Sequence, residues 1–308
     1  MNEQQITDTL DAVAAGFAGT GRAPVLGTPQ EIGLDYEDVT FPATDGVPLE
    51  GWFIPAAENS GKLVVANHPM GFTRTGLPSH LEPWRSLWAA SGNDIEVDFM
   101  PDYKILHDAG YHVLTYDLRN HGLSGSANGG VISSGIFESR DVIGSIAYAR
   151  ARTDTRSMKI GLFSRCLGAD ATFYAARQRP DVFEDLRCVV AAQPVTTKVI
   201  VARRLGLMGI TEDYLDDLDR RIQLTTGIGF DAQDPVPWAA ATNVPTFLYQ
   251  VRDDILTTPD DVQNMYDAMP ATQKRLHWIT GTSRRWDGYL EFQRNPQPML
   301  DWYADHMN

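Results

Sequence analysis

The chain has 308 residues and a formal net charge of −14 at pH 7, and 43% of its residues are hydrophobic. This length fits a single α/β domain that carries an insertion, and this hydrophobic fraction is enough for a large core. The acidic balance, without a basic run, argues against nucleic acid and anionic membrane surfaces as partners.

The sequence also lacks the segments that direct a chain to a membrane or stabilise it through disulfides. No apolar stretch reaches the roughly 18 residues that span a bilayer, and the N-terminus lacks the pattern of a signal peptide. Two cysteines do not make a disulfide framework. One of them, Cys188, lies in an apolar run and is predicted to be an inert core residue. We therefore expect a soluble cytoplasmic protein.

Strand and helix patterns alternate along most of the chain. An amphipathic helix is predicted over residues 3–17, and a hairpin turn separates two strands near residues 40–41 and 47–54. The strands predicted after it are 62–67, 112–116, 158–163, 186–192, 245–251 and 275–279, and the helices are 101–108, 138–150, 167–177, 260–268 and one at the C-terminus. This order predicts an α/β fold in which helices cover both faces of a mostly parallel sheet.

Two segments interrupt the alternation. Residues 71–100 are rich in Gly, Pro and Trp, and residues 195–243 form a mostly helical insertion. Long loops in a compact domain are usually functional, so both segments are predicted to roof an active site. The alternative for the insertion is a homodimer surface. The predicted organisation is an N-terminal helical extension (1–34), a core (35–194 and 244–308) and the cap-like insertion.

The stretch from Ser164 to Gly168, Ser-Arg-Cys-Leu-Gly, joins a predicted strand directly to a predicted helix. Such a sharp turn needs small residues two positions before and two positions after its centre, and Ser164 and Gly168 meet this need. The residue at the centre is Cys166. The stretch is therefore predicted to be a nucleophile elbow with cysteine in place of the usual serine. With Ser164 at the centre, Leu162 would occupy a small position where it does not fit.

Four local features, whose order and spacing along the chain match the family, resemble the α/β-hydrolase fold over roughly residues 35–308. They are the elbow, the segment Asn67–Gly71, which is similar to the family's His-Gly oxyanion loop, and the segment Tyr116–Ser124, which resembles Asp-x-Arg-x-His-Gly-x-Ser. The fourth is residues 245–259, which look like the strand and loop that deliver the triad acid. The cysteine in the elbow is similar to that of dienelactone hydrolases, in that respect only.

The resemblance implies roles for particular residues. Cys166 would attack a carbonyl carbon, and the backbone N–H groups of Met70 and Leu167 would form the oxyanion hole. Asp254 matches the position of the triad acid, which holds and polarises a histidine, and Asp253 is the alternative.

The triad histidine is missing from its usual place. The family has Gly-x-x-His after the last strand, and this chain has Gly-Thr-Ser-Arg284, whose guanidinium cannot serve as a base. His68 is the nearest alternative base by topology, although a structural role for it and for His121 is also predicted. His277 lies within a strand and His306 near the C-terminus. Alternatively, the thiol needs no base, or the site binds a ligand without hydrolysing it.

Cationic and aromatic side chains are predicted near the nucleophile. Arg165 is expected to favour the thiolate form of Cys166 or to bind a substrate carboxylate, and His68 to contact the substrate. Arg284 and Arg285 suit recognition of a carboxylate or phosphate, or else a salt bridge with Asp254 or Asp287. Four residues of the oxyanion loop and the long loop after it either line an apolar pocket or pack that loop down; these are Met70, Phe72, Trp84 and Trp88.

We therefore expect a hydrolase or acyltransferase that acts on an ester, thioester or lactone through Cys166 and an acyl-enzyme. A small-molecule acyl substrate is the expected partner, and no metal or organic cofactor is implied. The alternative is a catalytically degenerate ligand-binding protein of the same fold, and lyase chemistry is a third option. A base beside the Cys166 sulfur would favour an enzyme, and its absence would favour a binding protein.

Overall fold

The computed structural model describes residues 1–19, 21–58 and 60–308. Ten strands are present in these residues, eight of them in one sheet and two in a separate ribbon. The strands are β1 (Glu37–Pro42), β2 (Pro48–Ile54), β3 (Lys62–Ala66), β4 (Gly76–Leu77), β5 (Val97–Asp98), β6 (His112–Tyr116), β7 (Lys159–Arg165), β8 (Cys188–Ala192), β9 (Thr246–Val251) and β10 (Lys274–Ile279).

Thirteen α-helices occur in the same residues. They are α1 (Glu3–Ala15), α2 (Trp84–Ala89), α3 (Met100–Asp108), α4 (Ser139–Ala151), α5 (Leu167–Gln178), α6 (Pro180–Phe183), α7 (Thr197–Leu207), α8 (Leu215–Thr226), α9 (Val236–Ala239), α10 (Pro259–Ala268), α11 (Arg285–Tyr289), α12 (Glu291–Arg294) and α13 (Gln297–Met307). Short 3₁₀ helices cover Pro29–Ile32, Asn128–Gly130, Glu212–Tyr214 and Phe230–Gln233. The strands and helices predicted from the sequence are present, with ends that differ by a few residues.

The large sheet has the strand order β1-β2-β6-β3-β7-β8-β9-β10. Six neighbouring strands run parallel to one another: β6, β3, β7, β8, β9 and β10. Strand β2 runs antiparallel to both of its neighbours, β1 and β6. The central strands β3 and β7 are apolar and almost wholly buried, as expected for strands that are covered on both faces. The predicted fold class, a mostly parallel sheet with covering helices, is confirmed.

Helices pack on both faces of this sheet. One hydrophobic core lies between the sheet and the helices α4, α5 and α10, and the other lies between the sheet and the helices α3 and α13. A third, smaller cluster joins α1 to α7 and α8 through side chains such as Leu10, Leu205 and Leu218. The N-terminal helix and the insertion therefore share one apolar interface. Within the described residues, no helix combines the length and apolar character that a membrane crossing needs.

Five parallel strands deliver the candidate site residues to one edge of the sheet. The oxyanion loop follows β3, Cys166 follows β7, Gln193 follows β8, Asp254 follows β9 and Arg285 comes after β10. The carboxyl ends of parallel strands lie at the same edge, which is where ligands bind in open α/β sheets. The fold thus brings residues together that are more than 200 positions apart in the sequence.

Candidate active site

The turn between β7 and α5 holds Cys166 in an unusual backbone conformation. Its φ is 47° and its ψ is −112°, which places a residue that is not glycine at positive φ. Such a conformation costs about 1–3 kcal/mol and persists only where the surrounding structure enforces it. Here the Cys166 N–H donates to the Ala192 carbonyl at 2.8 Å, and the Cys166 carbonyl accepts the N–H groups of Ala169 and Asp170. The backbone of the turn is therefore fixed on both sides.

Close packing explains why the residues flanking this turn are small. A Cβ atom at Gly168 would lie 1.9 Å from the side-chain oxygen of Asn67, in the oxyanion loop. The Ser164 hydroxyl contacts the Asn67 amide nitrogen at 3.3 Å and the Thr172 hydroxyl at 2.8 Å. The oxyanion loop thus rests directly on the first turn of α5, which leaves no space for larger side chains. The chain therefore turns sharply from β7 into α5 at Cys166, with a small residue two positions to each side.

The two predicted oxyanion-hole donors have no hydrogen-bond partner within the described residues. The Phe72 N–H donates to the Pro69 carbonyl at 3.2 Å and Gly71 has a φ of 78°, so these residues form a β-turn. Met70 is the second residue of that turn, and its N–H makes no hydrogen bond within the described residues. The N–H of Leu167, which begins α5, is also without a partner there, as is usual in the first turn of a helix. Their use as an oxyanion hole remains a prediction.

Two buried histidines support this loop instead of facing a substrate. The His68 Nδ1–H donates to the carbonyl of the next residue at 2.8 Å, and its Nε2 accepts the Leu118 N–H at 2.9 Å. The His121 Nδ1–H donates to the Arg119 carbonyl, and its Nε2 accepts the Gly71 N–H at 3.1 Å. Burial lowers the pKa of His68 well below its usual value, and the neighbouring His121 lowers it further. His68 is therefore a neutral structural residue, and the expected substrate contact is not supported.

Asp254 pairs with an arginine where the resemblance implies a histidine. Its Oδ2 atom accepts from Arg285 Nη1 at 2.8 Å, and both side chains are 1% exposed. The Oδ1 atom accepts the Leu256 N–H at 2.9 Å, and Gln250 contacts Oδ2 at 3.1 Å. Backbone and side-chain donors therefore hold one buried guanidinium–carboxylate pair in place. The salt bridge that the sequence left open for Arg285 is present.

Arg284 does not lie beside the nucleophile as the sequence analysis expected; its neighbour Arg285 does. Helix α11 begins at Arg285, and Arg284 precedes it with extended backbone angles, so its side chain is exposed. It lines an open surface groove of about 610 Å³, together with Asp287, Glu291 and Arg294, whereas Cys166 does not line that groove. Arg285, the first residue of α11, is buried, whereas Arg284, just before the helix, is exposed. Asp253, the alternative to Asp254 as the acid, is exposed, whereas Asp254 is buried.

Tyr289 connects the buried ion pair to the thiol. Its hydroxyl accepts from Arg285 Nε at 3.0 Å, one helical turn away in α11, and it lies beside Cys166. Burial raises the pKa of Tyr289 well above its usual value; Arg285 opposes this rise and the Cys166 thiol adds to it. The Tyr289 hydroxyl therefore stays protonated. It accepts from Arg285 and has its own O–H available as a hydrogen-bond donor. This residue carries no motif, and its only sequence signal is its four-residue spacing from Arg285.

Arg285 is a fixed positive charge near the thiol. Burial alone would lower the pKa of Arg285, but the neighbouring Tyr289, Cys166 and Asp254 hold it well above its usual value. Gln193 adds two contacts, because its backbone carbonyl accepts from the guanidinium and its side-chain amide donates to the Arg285 carbonyl. Arg285 thus supplies a cation but no proton acceptor.

Aromatic side chains cover this edge of the sheet. Phe72 and Trp286 contact edge to face at 5.2 Å, Trp88 lies 5.2 Å from Trp286, and Tyr289 lies 5.4 Å from Phe72. The Asn93 side-chain oxygen accepts the backbone N–H of Trp286 at 2.9 Å and fixes the long loop on α11. The long loop therefore packs against α11. Cys166 keeps 8% of its surface exposed.

Arg165 lies away from the substrate side of the elbow. Its guanidinium is fully buried, pairs with Asp102, and donates to the Asn67 carbonyl at 3.2 Å. It also lies over the rings of Phe163 at 3.7 Å and Phe99 at 4.2 Å. The expected contact of Arg165 with a substrate carboxylate is therefore not supported, because α3 supplies a buried carboxylate that the local sequence does not reveal.

The remaining candidates also lie outside the site. Cys188 is fully buried in β8, and burial raises the pKa of its thiol, as expected for an inert core cysteine. His277 contacts Glu291 at 3.3 Å, and His306 bonds the Trp302 carbonyl at 2.7 Å. Within the described residues, no group of three His, Cys, Asp or Glu side chains is arranged to hold a metal ion.

Loss of the Asp254 carboxylate should destabilise the fold. Asp254→Ala leaves Arg285 as a buried charge without its partner, which costs about 3–5 kcal/mol of unfolding free energy. The exposed neighbour provides the control, since Asp253→Ala should change stability by less than about 0.5 kcal/mol. Urea unfolding of the two variants measures the difference, and a loss below about 1 kcal/mol for Asp254→Ala would contradict the buried pair.

The neutral state of His68 should make stability fall in mild acid. Its pKa lies below 6.5 in the folded protein, so the unfolded chain takes up the proton more readily below pH 6.5. Its contribution is complete above that pH and is lost as the pH falls, by up to about 1.4 kcal/mol per pH unit. His68→Gln should reduce this slope between pH 6 and 5 by up to that amount, while His121, whose pKa burial also lowers, keeps its own contribution. His80→Gln, at an exposed position, should leave the slope unchanged. Equal slopes in wild type and His68→Gln would refute this.

The sequence matches no family model and no curated protein. Solved structures are nevertheless similar over nearly the whole chain. An esterase from Pyrococcus furiosus has a TM-score of 0.69 at 20% identity, and the match covers 95% of this chain and 99% of that one.

Two further structures are also similar. The α/β hydrolase GrgF from a Penicillium species has a TM-score of 0.58, and a dienelactone hydrolase from Anabaena variabilis has a TM-score of 0.56. Each is 16% identical, and each match covers 89% of this chain and 99% of the other. At these identities the likeness concerns the architecture, which agrees with the strand order and with the elbow. The chain therefore has the α/β-hydrolase fold.

Proposed function

We propose that this protein is a hydrolase or acyltransferase that acts on an ester, thioester or lactone through a cysteine nucleophile. The observation that supports this most directly is the thiol of Cys166, held at positive φ where α5 begins, with two unpaired backbone N–H groups in the adjoining segments. A cysteine at a helix N-terminus is favoured as the thiolate, which is the nucleophilic form. Esterase and hydrolase structures of the same fold support the substrate class.

The reaction would begin with attack of the Cys166 thiolate on the carbonyl carbon. The tetrahedral intermediate carries its charge on the former carbonyl oxygen, and the N–H groups of Met70 and Leu167 would donate to it. One such donor is worth roughly 3 kcal/mol to the transition state. Collapse of the intermediate expels the leaving group and leaves an acyl thioester on Cys166. Water would then release the acid, or another nucleophile would accept the acyl group.

The neighbours of the thiol support this reaction without an imidazole. Tyr289 can donate a hydrogen bond to the thiolate, and Arg285 places a positive charge nearby. Both stabilise the charged sulfur before substrate arrives, so the attack itself needs no base. With these contacts the nucleophile can be used as a thiolate, and a triad histidine is not needed to activate it.

A catalytically degenerate binding protein is the second candidate. Two observations favour it: Cys166 is only 8% exposed, and an arginine that cannot take up a proton occupies the position opposite Asp254. In this case the thiol and the aromatic cover would only line a ligand site. The long loop (71–100) and the insertion (195–243) would then enclose a ligand instead of admitting a substrate.

The two candidates differ in whether Cys166 becomes acylated. Wild-type protein incubated with a panel of activated esters and thioesters should gain the mass of one acyl group, measured on the intact protein. Cys166→Ala should gain none, because the attacking sulfur is absent, and Cys188→Ala should gain the adduct as wild type does. The decay of the adduct in water, compared with its decay after addition of an alcohol or thiol, separates hydrolase from transferase.

An adduct that persists in Cys166→Ala would show that another group is acylated. If no ester modifies the folded wild-type protein, the binding-protein candidate is the correct one.

Removal of the Tyr289 hydroxyl should slow the reaction of Cys166. Tyr289→Phe keeps the ring contacts with Phe72 and Trp286 but removes the hydroxyl that accepts from the buried Arg285 and lies beside the thiol. The rate of iodoacetamide alkylation of Cys166 at pH 7 should therefore fall by about tenfold or more, as expected for the loss of a hydrogen bond to a charged group. Tyr249→Phe is the control, because the buried Tyr249 hydroxyl has no partner within the described residues. Equal alkylation rates in Tyr289→Phe and wild type would rule out this role.

A further inference from the structure

Two buried imidazoles hold the peptide units on either side of Met70. The Pro69 carbonyl belongs to the peptide unit that carries the Met70 N–H, and it accepts from His68 Nδ1 at 2.8 Å. The Gly71 N–H belongs to the next peptide unit, and it donates to His121 Nε2 at 3.1 Å. The two rings meet edge to face, with their centres 5.0 Å apart. The backbone at the expected oxyanion-hole donor is therefore fixed from both directions.

The contact from His68 controls the direction of the Met70 N–H. The peptide unit between Pro69 and Met70 is trans, and in a planar trans unit the carbonyl and the N–H point in opposite directions. A group that fixes the Pro69 carbonyl therefore also fixes the N–H. The Phe72 N–H donates to the same carbonyl at the longer distance of 3.2 Å, but it belongs to the turn itself and would move with it.

The imidazole is anchored outside the loop that it orients. His68 Nε2 accepts the Leu118 N–H at 2.9 Å, which leaves the ring proton on Nδ1, where it faces the Pro69 carbonyl. Leu118 is fully buried, and the N–H of its neighbour Arg119 donates to the Asp141 carboxylate at 2.8 Å. Burial lowers the pKa of His68 well below its usual value, so the ring stays neutral and keeps both contacts.

These contacts form one chain of hydrogen bonds that ends at Met70. The chain runs from the Leu118 N–H through the imidazole of His68 to the Pro69 carbonyl. Across that peptide unit lies the Met70 N–H, which has no partner within the described residues. Each bond in such a chain polarises the next, so the chain strengthens its last donor as well as orienting it. The segment 116–124 thus contributes to the site through the backbone of Leu118.

We propose that His68 is a positioning residue for the acyl transfer at Cys166, because it aims and strengthens the Met70 N–H that would receive the charge of the tetrahedral intermediate. This inference rests on the proposed function. In this role His68 touches neither the substrate nor the sulfur, and it neither gives nor takes a proton. It matters only where a carbonyl oxygen gains negative charge. A reaction of Cys166 that forms no such oxyanion, for instance alkylation by iodoacetamide, should not depend on it.

Two substitutions separate the donor of His68 from its acceptor. His68→Gln keeps an acceptor near the position of Nε2 for the Leu118 N–H but loses the donor to the Pro69 carbonyl. His68→Asn keeps an N–H group near the position of Nδ1 for that carbonyl. The rates of acylation of Cys166 by a nitrophenyl ester and of its alkylation by iodoacetamide are both measured from the mass of the intact protein.

The two rates should respond differently. We expect His68→Gln to slow acylation at least about 30-fold, since loss of one oxyanion donor costs roughly 100-fold to 1000-fold, and to leave alkylation within about twofold of wild type. His68→Asn should acylate at least about tenfold faster than His68→Gln, because it restores the donor. His107→Gln is the matched control. It also removes a histidine that bonds a proline carbonyl, that of Pro55 at 2.7 Å, and it should change neither rate.

Met70→Pro tests whether His68 acts through the Met70 N–H. Gly71 has a φ of 78° whereas Met70 is not at positive φ, so the turn is of type II and accepts proline at the Met70 position. This variant removes the N–H itself and should slow acylation. Addition of His68→Gln should then slow acylation by less than about threefold further, since substitutions that act through one group are not additive.

A measurement on the unchanged chain tests the inference even if neither His68 variant folds. Nitrogen NMR of histidine-labelled protein should show a neutral His68 ring with its proton on Nδ1. That N–H signal should shift when an aldehyde forms a tetrahedral adduct with Cys166. A proton on Nε2, or a signal that the adduct leaves unchanged, would overturn the inference.

The outcomes for the variants are distinct. A selective loss of acylation in His68→Gln that His68→Asn recovers supports the proposal. Equal loss of acylation and alkylation would show that His68 only holds the fold, and it would overturn this inference alone. An unchanged acylation rate in His68→Gln, a loss that His68→Asn does not recover, or a loss equally large in the Met70→Pro background would do the same. If iodoacetamide alkylates wild-type Cys166 but no ester acylates it, the proposed function fails and this inference fails with it.

Discussion

The backbone strain at Cys166 is the constraint on which the rest of the site depends. The residue is held at a φ of 47° because its N–H is bonded to β8, while its carbonyl begins the hydrogen-bond pattern of α5. The oxyanion loop then packs against Gly168 so closely that a single Cβ atom would collide with Asn67. This packing fixes three things together: the direction of the thiol, the free N–H of Leu167 and the position of the loop that carries Met70. A larger residue at position 168 would disturb all three.

A guanidinium in place of an imidazole changes the electrostatics of such a site. An imidazole moves a proton during each half-reaction, whereas Arg285 stays charged throughout and is held by Asp254 in a pair that is 1% exposed. In the proposed reaction its effect on Cys166 would therefore be static: with the Tyr289 hydroxyl it would stabilise negative charge on sulfur. A thiol can be used as an anion without a base, whereas a serine hydroxyl cannot. A cysteine in the elbow is therefore compatible with an arginine opposite Asp254, whereas a serine there would not be.

Features that depend on neighbouring residues in the chain could be predicted from the sequence. The alternation of strands and helices indicated the fold class, and the small residues at 164 and 168 indicated the elbow. Features that depend on distant residues could not be predicted in this way. Arg165 is held by Asp102, 63 positions away, and His68 by the backbone of Leu118, 50 positions away. Which of Arg284 and Arg285 is buried depends on the residue at which α11 begins, and local patterns do not fix that residue. Tyr289 carries no motif, and only packing brings it beside the thiol.

A crystal structure of the protein after reaction with a β-lactone tests the account most directly. The account predicts a covalent bond from the Cys166 sulfur to the acyl carbon. It also predicts that the acyl oxygen lies within about 2.7–3.1 Å of the N–H groups of Met70 and Leu167. An acyl group on another residue would contradict the central claim. So would an acyl oxygen on Cys166 that points away from both donors.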